Sequence, residues 1–321
     1  MKQHGFIDLH THGIGNYDTR TENPDHILKI AELHGEAGTS AILPTIYSGP
    51  IDVMRNNMEA VRKAMEIQQK TVSRRLSTVK GRETEGRMPS VLIGVHLEGP
   101  FLHPLRCGAL DKASFIKPTV SSLKTLIAGY EDIIKTITIA PELPGALKVI
   151  ERCRGAAITV NMGHSDATYE QAMDGKRAGA TGITHLFNAM RPLHHREPGL
   201  AGFGLLDEDT YVEVIADGAH LHSEIVRLIF RTKNRDRVIV VSDLVKGAKG
   251  YGKAIYTSKG VLAGSGMTIS QSVEVLSMIG ITTEEIHCST IQNPWGLTKK
   301  FISGKLNFPL EPPMYKCEDK R

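Results

Sequence analysis

The chain has 321 residues, of which 40% are hydrophobic and 23% charged, which is typical of a globular protein with one large core. Its formal net charge of +4 is small and diffuse, so we do not expect a nucleic-acid partner. No apolar run reaches the ~18 residues needed to cross a bilayer, so we do not expect a membrane partner either.

The four cysteines lie far apart and form no CxxC motif, so neither a disulfide framework nor a thiolate zinc site is predicted. The start of the chain also lacks the apolar segment of a signal peptide. Together these features favour a reduced, cytoplasmic setting. Histidine is the more informative residue, because several of the 14 histidines follow apolar runs.

Apolar runs rich in β-branched residues alternate with amphipathic segments along the chain. Nearly continuous apolar runs of this length are typical of buried parallel strands. We predict eight such strands, at 5–12, 40–46, 91–99, 136–142, 156–165, 182–190, 211–220 and 237–244.

The amphipathic segments between these runs predict helices. In the first of them, Pro24 stands near the start and Gly38 provides a stop signal. In the third, Asp166 is the predicted N-cap and Gly179 the end. The clearest predicted helices cover 23–38, 51–70, 166–179, 223–233 and 270–280.

Eight strands that alternate with helices predict an α/β fold, a (β/α)8 TIM-type barrel. The alternative is a doubly wound open sheet. We favour the barrel because polar residues follow nearly every strand, and active sites of barrels lie at those ends. We predict one domain over 1–303, followed by a tail over 304–321 whose prolines and charges suggest a strap or a frayed end.

The predicted strand ends carry side chains that bind metals or move protons. His10 and His12 share one face if the first strand continues through them. Each of these side chains alone is more often a loop anchor, but imidazoles with a carboxylate form a ligand set for zinc or iron rather than calcium or magnesium. The candidates are His10, His12, Glu98, His164, His185, His220 and Asp243.

A bound metal would lower the pKa of water toward ~7, which makes hydroxide available for attack on a carbonyl carbon. If the substrate is an amide, a nearby carboxylate must take the proton of the water and return it to the leaving nitrogen. Asp243 is our candidate for this proton shuttle. The alternatives for Asp243 are a further metal ligand or an N-cap of the following loop.

Several longer motifs occur in one order along the chain. "GFIDLHTHG", "HLEGPFLHP", "GHSDATYEQA", "THLFNAM", "HHREPGLAG", "ADGAHLH" and "LAGSGMT" together resemble the N-acetylglucosamine-6-phosphate deacetylases of the amidohydrolase superfamily. The resemblance runs from about residue 5 to about residue 297. It implies a metal-dependent barrel that removes acetate from an N-acetylated amino-sugar 6-phosphate.

The resemblance also implies the metal ligands. Glu98, His164 and His185 would hold the main metal, and His10 and His12 match the position of a second metal that some family members hold. We therefore expect one or two divalent ions per chain, zinc or iron, with Glu98 as a bridge between them. No lysine ends the fourth strand, so a carbamylated lysine is not expected.

For the substrate phosphate, the resemblance implies contacts from Asn188 and from the backbone of Ala189. It implies that Arg196 reaches the phosphate of a substrate bound to a neighbouring subunit, so we expect a homodimer. Arginine suits phosphate oxygens because its guanidinium forms two parallel hydrogen bonds. The plain alternative for Arg196 is a surface salt bridge.

For the rest of the substrate, the resemblance implies that His220 contacts the sugar, and we count it with Asp243 among the catalytic residues. The segment 262–268, which includes Leu262 and Gly264, would close over the acetyl end. A simple turn is the alternative for its glycines.

The chain departs from the family pattern in three places. Its first strand begins at Gly5 and its tail is short, so we expect a barrel without the small β-sandwich that family members usually carry. Leu110 stands where the family often has a sugar-contacting histidine, so either the specificity differs or His103 substitutes. The loop after Asp243 is more basic than usual, although Lys246 and Lys249 are more often exposed than substrate-binding.

These observations favour a metal-dependent deacetylase of N-acetylglucosamine 6-phosphate. The alternatives are the same reaction on N-acetylgalactosamine 6-phosphate or another N-acyl substrate, a cyclic-amide hydrolase, and a non-catalytic sugar-phosphate-binding barrel. The intact set of Glu98, His164, His185 and Asp243 argues against the last of these.

Overall fold

The structure is a computed structural model that describes residues 5–78, 88–248 and 254–302. The predicted tail over 304–321 and the loop residue Lys249 lie outside the described residues. None of the helices in the described part of the chain is long and apolar enough to cross a membrane.

Eight parallel strands form a nearly closed barrel, which confirms the predicted TIM-type fold. Each strand pairs with the next one in the sequence, and the last returns to the first through a bridge between Thr11 and Leu244. The strands are β1 (Phe6–Thr11), β2 (Thr39–Tyr47), β3 (Val91–Leu92 and Val95–Glu98), β4 (Ile134–Ile139), β5 (Thr159–Met162), β6 (Gly182–Ile183), β7 (Tyr211–Ile215) and β8 (Val238–Val241).

Helices cover the outside of the barrel because their apolar faces need a partner that the strands provide. A large buried cluster joins strands and helices, and a smaller one packs against Trp295 and Leu297. The helices are α1 (Pro24–Glu36), α2 (Ile51–Thr78), α3 (Val120–Ile127), α4 (Ala146–Gly155), α5 (Tyr169–Ala178), α6 (Gly199–Leu206), α7 (Ser223–Thr232), α8 (Ile269–Met278), α9 (Thr283–His287) and α10 (Asn293–Ile302).

The predicted start of α5 was wrong. Thr168, not Asp166, is the N-cap, and it forms a capping box with Gln171. Asp166 is instead bound by the guanidinium groups of Arg106 and Arg191, which lie on other loops. Partners distant in the sequence therefore decide the role of this carboxylate.

The sixth strand is much shorter than the predicted run 182–190 and ends at Ile183. The backbone then turns through left-handed conformations at His185 (φ 31°), Phe187 (φ 74°) and Ala189 (φ 48°). These turns interrupt the extended chain and bring its side chains to the barrel rim.

Beyond β8, an antiparallel hairpin pairs Ala254–Tyr256 with Leu262–Ser265. Ser265 also forms a parallel bridge with Leu244, three residues beyond the end of β8. The hairpin therefore extends the barrel wall above the carboxyl end of β8.

Candidate active site

A cavity of about 250 Å³ opens at the carboxyl ends of the barrel strands, where enzymes of this fold hold their active sites. Most of the predicted site residues line it. These are His12, Glu98, His164, His185, Asn188, Ala189, His220, Asp243 and Leu262.

Glu98, the last residue of β3, meets two histidines from neighbouring strand ends. Its Oε1 lies 3.1 Å from Nε2 of His164 and 3.2 Å from Nε2 of His185, and these two nitrogens are 3.2 Å apart. The Nδ1 of His164 donates to the carbonyl oxygen of Arg106 at 2.9 Å, which leaves a lone pair on its Nε2. Three ligand atoms therefore face one point.

A second group of ligand atoms adjoins the first. The Nε2 atoms of His10 and His12 are 3.2 Å apart, and Oδ1 of Asp243 lies 3.5 Å from each. The Nδ1 of His12 donates to the carbonyl oxygen of Thr45 at 3.0 Å, so its Nε2 also carries a lone pair. Oε2 of Glu98 is 3.3 Å from this nitrogen, which places Glu98 between the two groups.

Burial shapes the protonation of this cluster. Burial lowers the pKa of His10 well below its usual range and also lowers that of His185, so both imidazoles are neutral at pH 7. Burial, assisted by the charge of Glu98, raises the pKa of Asp243 well above its usual range.

These residues fit a divalent metal. The histidine nitrogens and the carboxylate oxygens of the two groups lie 3.1 to 3.6 Å apart. No described lysine or arginine forms an ion pair with Glu98 or Asp243. Buried carboxylates are expensive unless a charged partner or a metal compensates them. Imidazole and carboxylate ligands suit zinc and iron in particular.

His220 lies on the cavity wall and is oriented by a residue that the sequence analysis missed. Its Nδ1 donates to Oδ2 of Asp217 at 2.7 Å, while Oδ1 of Asp217 accepts from the backbone nitrogens of Ala219 and His220. Burial alone would raise the pKa of Asp217, but these hydrogen bonds and the charge of His220 lower it. Nε2 is thus the ring nitrogen of His220 that remains available to a ligand.

Arg196 is the predicted substrate contact that lies outside the cavity of its own chain. It is exposed, and its guanidinium contacts Nε2 of His195 at 2.9 Å. Asn188 and Ala189, by contrast, belong to the cavity wall. Arg196 therefore does not contribute to the cavity of its own chain.

Gly264 lies next to the cavity wall rather than in it. A Cβ atom at this position would come within 2.9 Å of the carbonyl oxygen of Asp243 and 2.4 Å of Cγ1 of Val245. The glycine therefore permits close packing of the hairpin against Asp243, whereas its neighbour Leu262 faces the cavity.

Leu110 lines the cavity, whereas His103 does not. The Nδ1 of His103 accepts a hydrogen bond from the backbone nitrogen of Leu105 at 3.2 Å and caps the short helical turn Pro104–Arg106. His103 therefore does not substitute for a histidine at position 110. Lys246 is exposed, as expected.

Sequence reasoning also missed Tyr47, which ends β2 and lines the cavity. Its ring stacks on His12 with the ring centres 3.7 Å apart, and the guanidinium of Arg20 lies 3.7 Å from its centre on the opposite face. Its position at a strand end was the available signal, since the other candidates were found by that rule.

The chain is similar to several proteins of known name, although no family model matches it. A protein of Lysinibacillus sphaericus named N-acetylglucosamine-6-phosphate deacetylase is 32% identical and covers 88% of this chain and 72% of its own length. One of Escherichia coli O157:H7 named N-acetylgalactosamine-6-phosphate deacetylase is 29% identical, with coverages of 89% and 75%.

Solved structures agree as well. The N-acetylglucosamine-6-phosphate deacetylase of Thermotoga maritima matches 92% of this chain and 78% of its own, with a TM-score of 0.78 at 27% identity. That of Pasteurella multocida matches with a TM-score of 0.77, also at 27% identity, over 92% of this chain and 76% of its own.

The chain belongs to the N-acetylglucosamine-6-phosphate deacetylase family. This confirms the family that the sequence motifs predicted. Relatives of this deacetylase family named for the glucosamine and for the galactosamine epimer resemble the chain to nearly the same degree. Their names alone therefore do not distinguish between the two sugars.

Proposed function

We propose that the chain hydrolyses the acetamide bond of an N-acetylhexosamine 6-phosphate, with N-acetylglucosamine 6-phosphate as the first candidate. The observation that carries this proposal is the convergence of Glu98, His164, His185 and Asp243 in one cavity. No lysine or arginine among the described residues forms an ion pair with either of the two carboxylates. The names of the relatives supply the substrate class.

Glu98, His164 and His185 would hold the main metal, zinc or iron. His10, His12 and Asp243 form the adjoining group for a second ion, so we propose one or two ions per chain. When bound, the metal supplies Lewis acidity, which polarises the amide carbonyl and lowers the pKa of water.

Asp243 moves the proton in this proposal. Its carboxylate takes a proton from the attacking water and delivers it to the amide nitrogen as the carbon–nitrogen bond breaks. Acetate and the free amino sugar phosphate are the products, so atoms and charges balance. The position of Asp243 on the cavity wall, beside His10 and His12, supports this role.

The remaining side chains orient the substrate. We assign the sugar to His220, because Asp217 occupies its Nδ1 and leaves Nε2 for a sugar hydroxyl. Asn188 and the backbone of Ala189 would bind the phosphate, and Arg196 of a second chain in a homodimer would complete that site. The described cysteines are free thiols, and the cytoplasmic setting remains a prediction.

A second candidate is the same hydrolysis on N-acetylgalactosamine 6-phosphate or on another N-acyl substrate. It is favoured by Leu110, which presents an apolar side chain to the cavity. A site without a hydrogen-bonding group there would discriminate less strongly against a moved hydroxyl.

The test is acetate release from N-acetylglucosamine 6-phosphate by the purified chain before chelation, after chelation, and after zinc or iron is restored. We expect activity that disappears with the metal and returns with it, and that Glu98→Gln abolishes. Glu224→Gln, an exposed residue of α7, is the matched control and should behave like the unmodified chain. Activity that survives complete metal removal would contradict the proposal.

A further inference from the structure

Glu213 lies in the barrel interior, behind the ligand groups. It belongs to β7, it is buried, and no ion pair joins it to a described lysine or arginine. Its Oε2 lies 3.3 Å from Nδ1 of His10. The carboxylate therefore contacts the one ring nitrogen of His10 that faces away from His12 and Asp243.

The position of one proton on His10 decides whether this histidine can bind a metal. With the proton on Nδ1, donated to Glu213, the Nε2 lone pair points toward His12 and Asp243. With the proton on Nε2, an N–H would point into the ligand group instead. A carboxylate at Nδ1 favours the first arrangement and makes the imidazole a stronger ligand.

The surrounding residues hold Glu213 in this orientation. Its Oε1 accepts a hydrogen bond from Nδ2 of Asn161 at 2.8 Å. Asn161 in turn needs Gly182, because a Cβ atom there would come within 2.3 Å of its Oδ1. Residues from β5, β6 and β7 thus fix the carboxylate before any metal binds.

His96 gives a contrast within the same interior. Its ring packs edge-on against His10 at 4.7 Å between ring centres, but its Nε2 is hydrogen-bonded to Oγ1 of Thr138 at 2.8 Å. His96 therefore supports the ring of His10 sterically, whereas Glu213 is the group that contacts its Nδ1.

We propose that Glu213 is a positioning residue for the second metal, acting through His10. This inference rests on the proposed function, because it requires an ion at His10, His12 and Asp243. The ion at Glu98, His164 and His185 should depend on Glu213 far less, because Glu213 contacts that group only at the backbone of His185 and not at a ligand atom.

The experiment is a titration of the metal-free full chain with Co²⁺, in which binding is measured by visible absorption and by equilibrium dialysis. We expect two equivalents for the unmodified chain. Glu213→Gln should weaken the binding of one equivalent by about 10- to 100-fold, as the loss of such partners does at other metal sites, and affect the binding of the other far less. Asn161→Ala keeps the Glu213 carboxylate but removes the hydrogen bond that holds it. This variant should weaken the binding of the same equivalent by a smaller factor.

Thr184→Val is the matched control, because Thr184 is buried in the same interior and bonds Thr138 at 2.7 Å without contacting a ligand imidazole. It should bind both equivalents normally. Two equivalents of unchanged affinity in Glu213→Gln would overturn the inference and leave the proposed function standing. A single equivalent in the unmodified chain that His12→Ala leaves unchanged would overturn both the inference and the second metal of the proposed function.

Discussion

Two of the proposed ligand histidines are oriented by the group that their second ring nitrogen contacts. His12 donates from Nδ1 to the carbonyl oxygen of Thr45, and His164 donates to that of Arg106. Residue types and strand ends predicted the ligand set, but not these partners. Backbone carbonyls are present at every residue, so no sequence pattern distinguishes the two that fix these rings.

Asp243→Asn should retain the metal at Glu98, His164 and His185 but lose turnover by about 100-fold or more, because an amide cannot accept the proton of water and pass it on. Metal analysis and initial rates of acetate release check this prediction. Asp236→Asn, an exposed acid just before β8, is the control and should show normal rates. A normal rate for Asp243→Asn would assign the proton transfer to another group.

His34 makes folding stability depend on pH. This histidine of α1 is buried beneath the rim with Nε2 3.1 Å from Oγ1 of Thr11, and burial lowers its pKa to about 4. The unfolded chain binds a proton below about pH 6.5, whereas the folded chain resists it until about pH 4. The contribution to stability is therefore complete above pH 6.5 and is lost as the pH falls toward 4.

We expect His34 to account for about 3 kcal/mol of the stability lost between pH 7 and pH 4. Urea unfolding of the unmodified chain and of His34→Gln at both pH values measures this difference. The variant should lose less stability than the unmodified chain on acidification. Equal losses in the two proteins would show that His34 is not the group responsible.

One carboxylate joins three loops at the carboxyl ends of the strands. Asp166, after β5, is bound by Arg106 from the loop after β3 at 2.6 Å and by Arg191 from the loop after β6 at 2.7 Å. The carbonyl oxygen of Arg106 accepts from Nδ1 of His164, so these ion pairs also support a proposed metal ligand. Gly108 and Leu110 of the same loop form part of the cavity wall.

Asp166→Ala should therefore release the loop that carries Arg106. We expect about tenfold weaker binding of the main metal and a higher KM, because support of a ligand histidine is lost. Asp174→Ala is the matched control, since it removes only an exposed ion pair with Arg177 on α5. Metal titration and steady-state rates compare the two variants, and identical behaviour would contradict this role for Asp166.

The elements themselves were predictable to different degrees. Strands such as β8 follow from continuous buried β-branched residues, since little else suits such a run. The end of β6 was not predictable, because distant backbone groups bend the following residues. Leu186 donates to the carbonyl oxygen of Glu213, and Ser165 donates to that of Ala189, so tertiary contacts override the extended pattern.

In the whole molecule, the proposed metal ligands between residue 10 and residue 243 lie close together because parallel strands of a barrel end on one rim. That convergence was predictable once eight strands were recognised. The inward-facing residues below the rim were not, because Glu213 lies inside an apolar run and no strand end marks it. Only the closed barrel brings it against His10.

Substitution of Arg196 tests whether two chains share a substrate site. Because its guanidinium lies outside its own cavity, Arg196→Ala should raise the KM for phosphorylated substrate about tenfold, the loss expected for a charge-assisted hydrogen bond. The KM for the unphosphorylated sugar should not change. Arg177→Ala, an exposed arginine of α5, is the control.

Equal changes in KM for both substrates would remove the phosphate role of Arg196. Sedimentation of the unmodified chain should also reveal a dimer at the concentrations used for the assay. A monomer with a normal KM for the phosphorylated substrate would contradict a shared site.

The most direct test of the account is a panel of N-acyl amino sugars, each with and without the 6-phosphate, incubated with the metal-loaded chain and assayed for released carboxylate. We predict acetate release from N-acetylhexosamine 6-phosphates, with N-acetylglucosamine 6-phosphate turned over fastest and the unphosphorylated sugars far more slowly. No carboxylate from any phosphorylated member, with metal bound at Glu98, His164 and His185, would contradict the account.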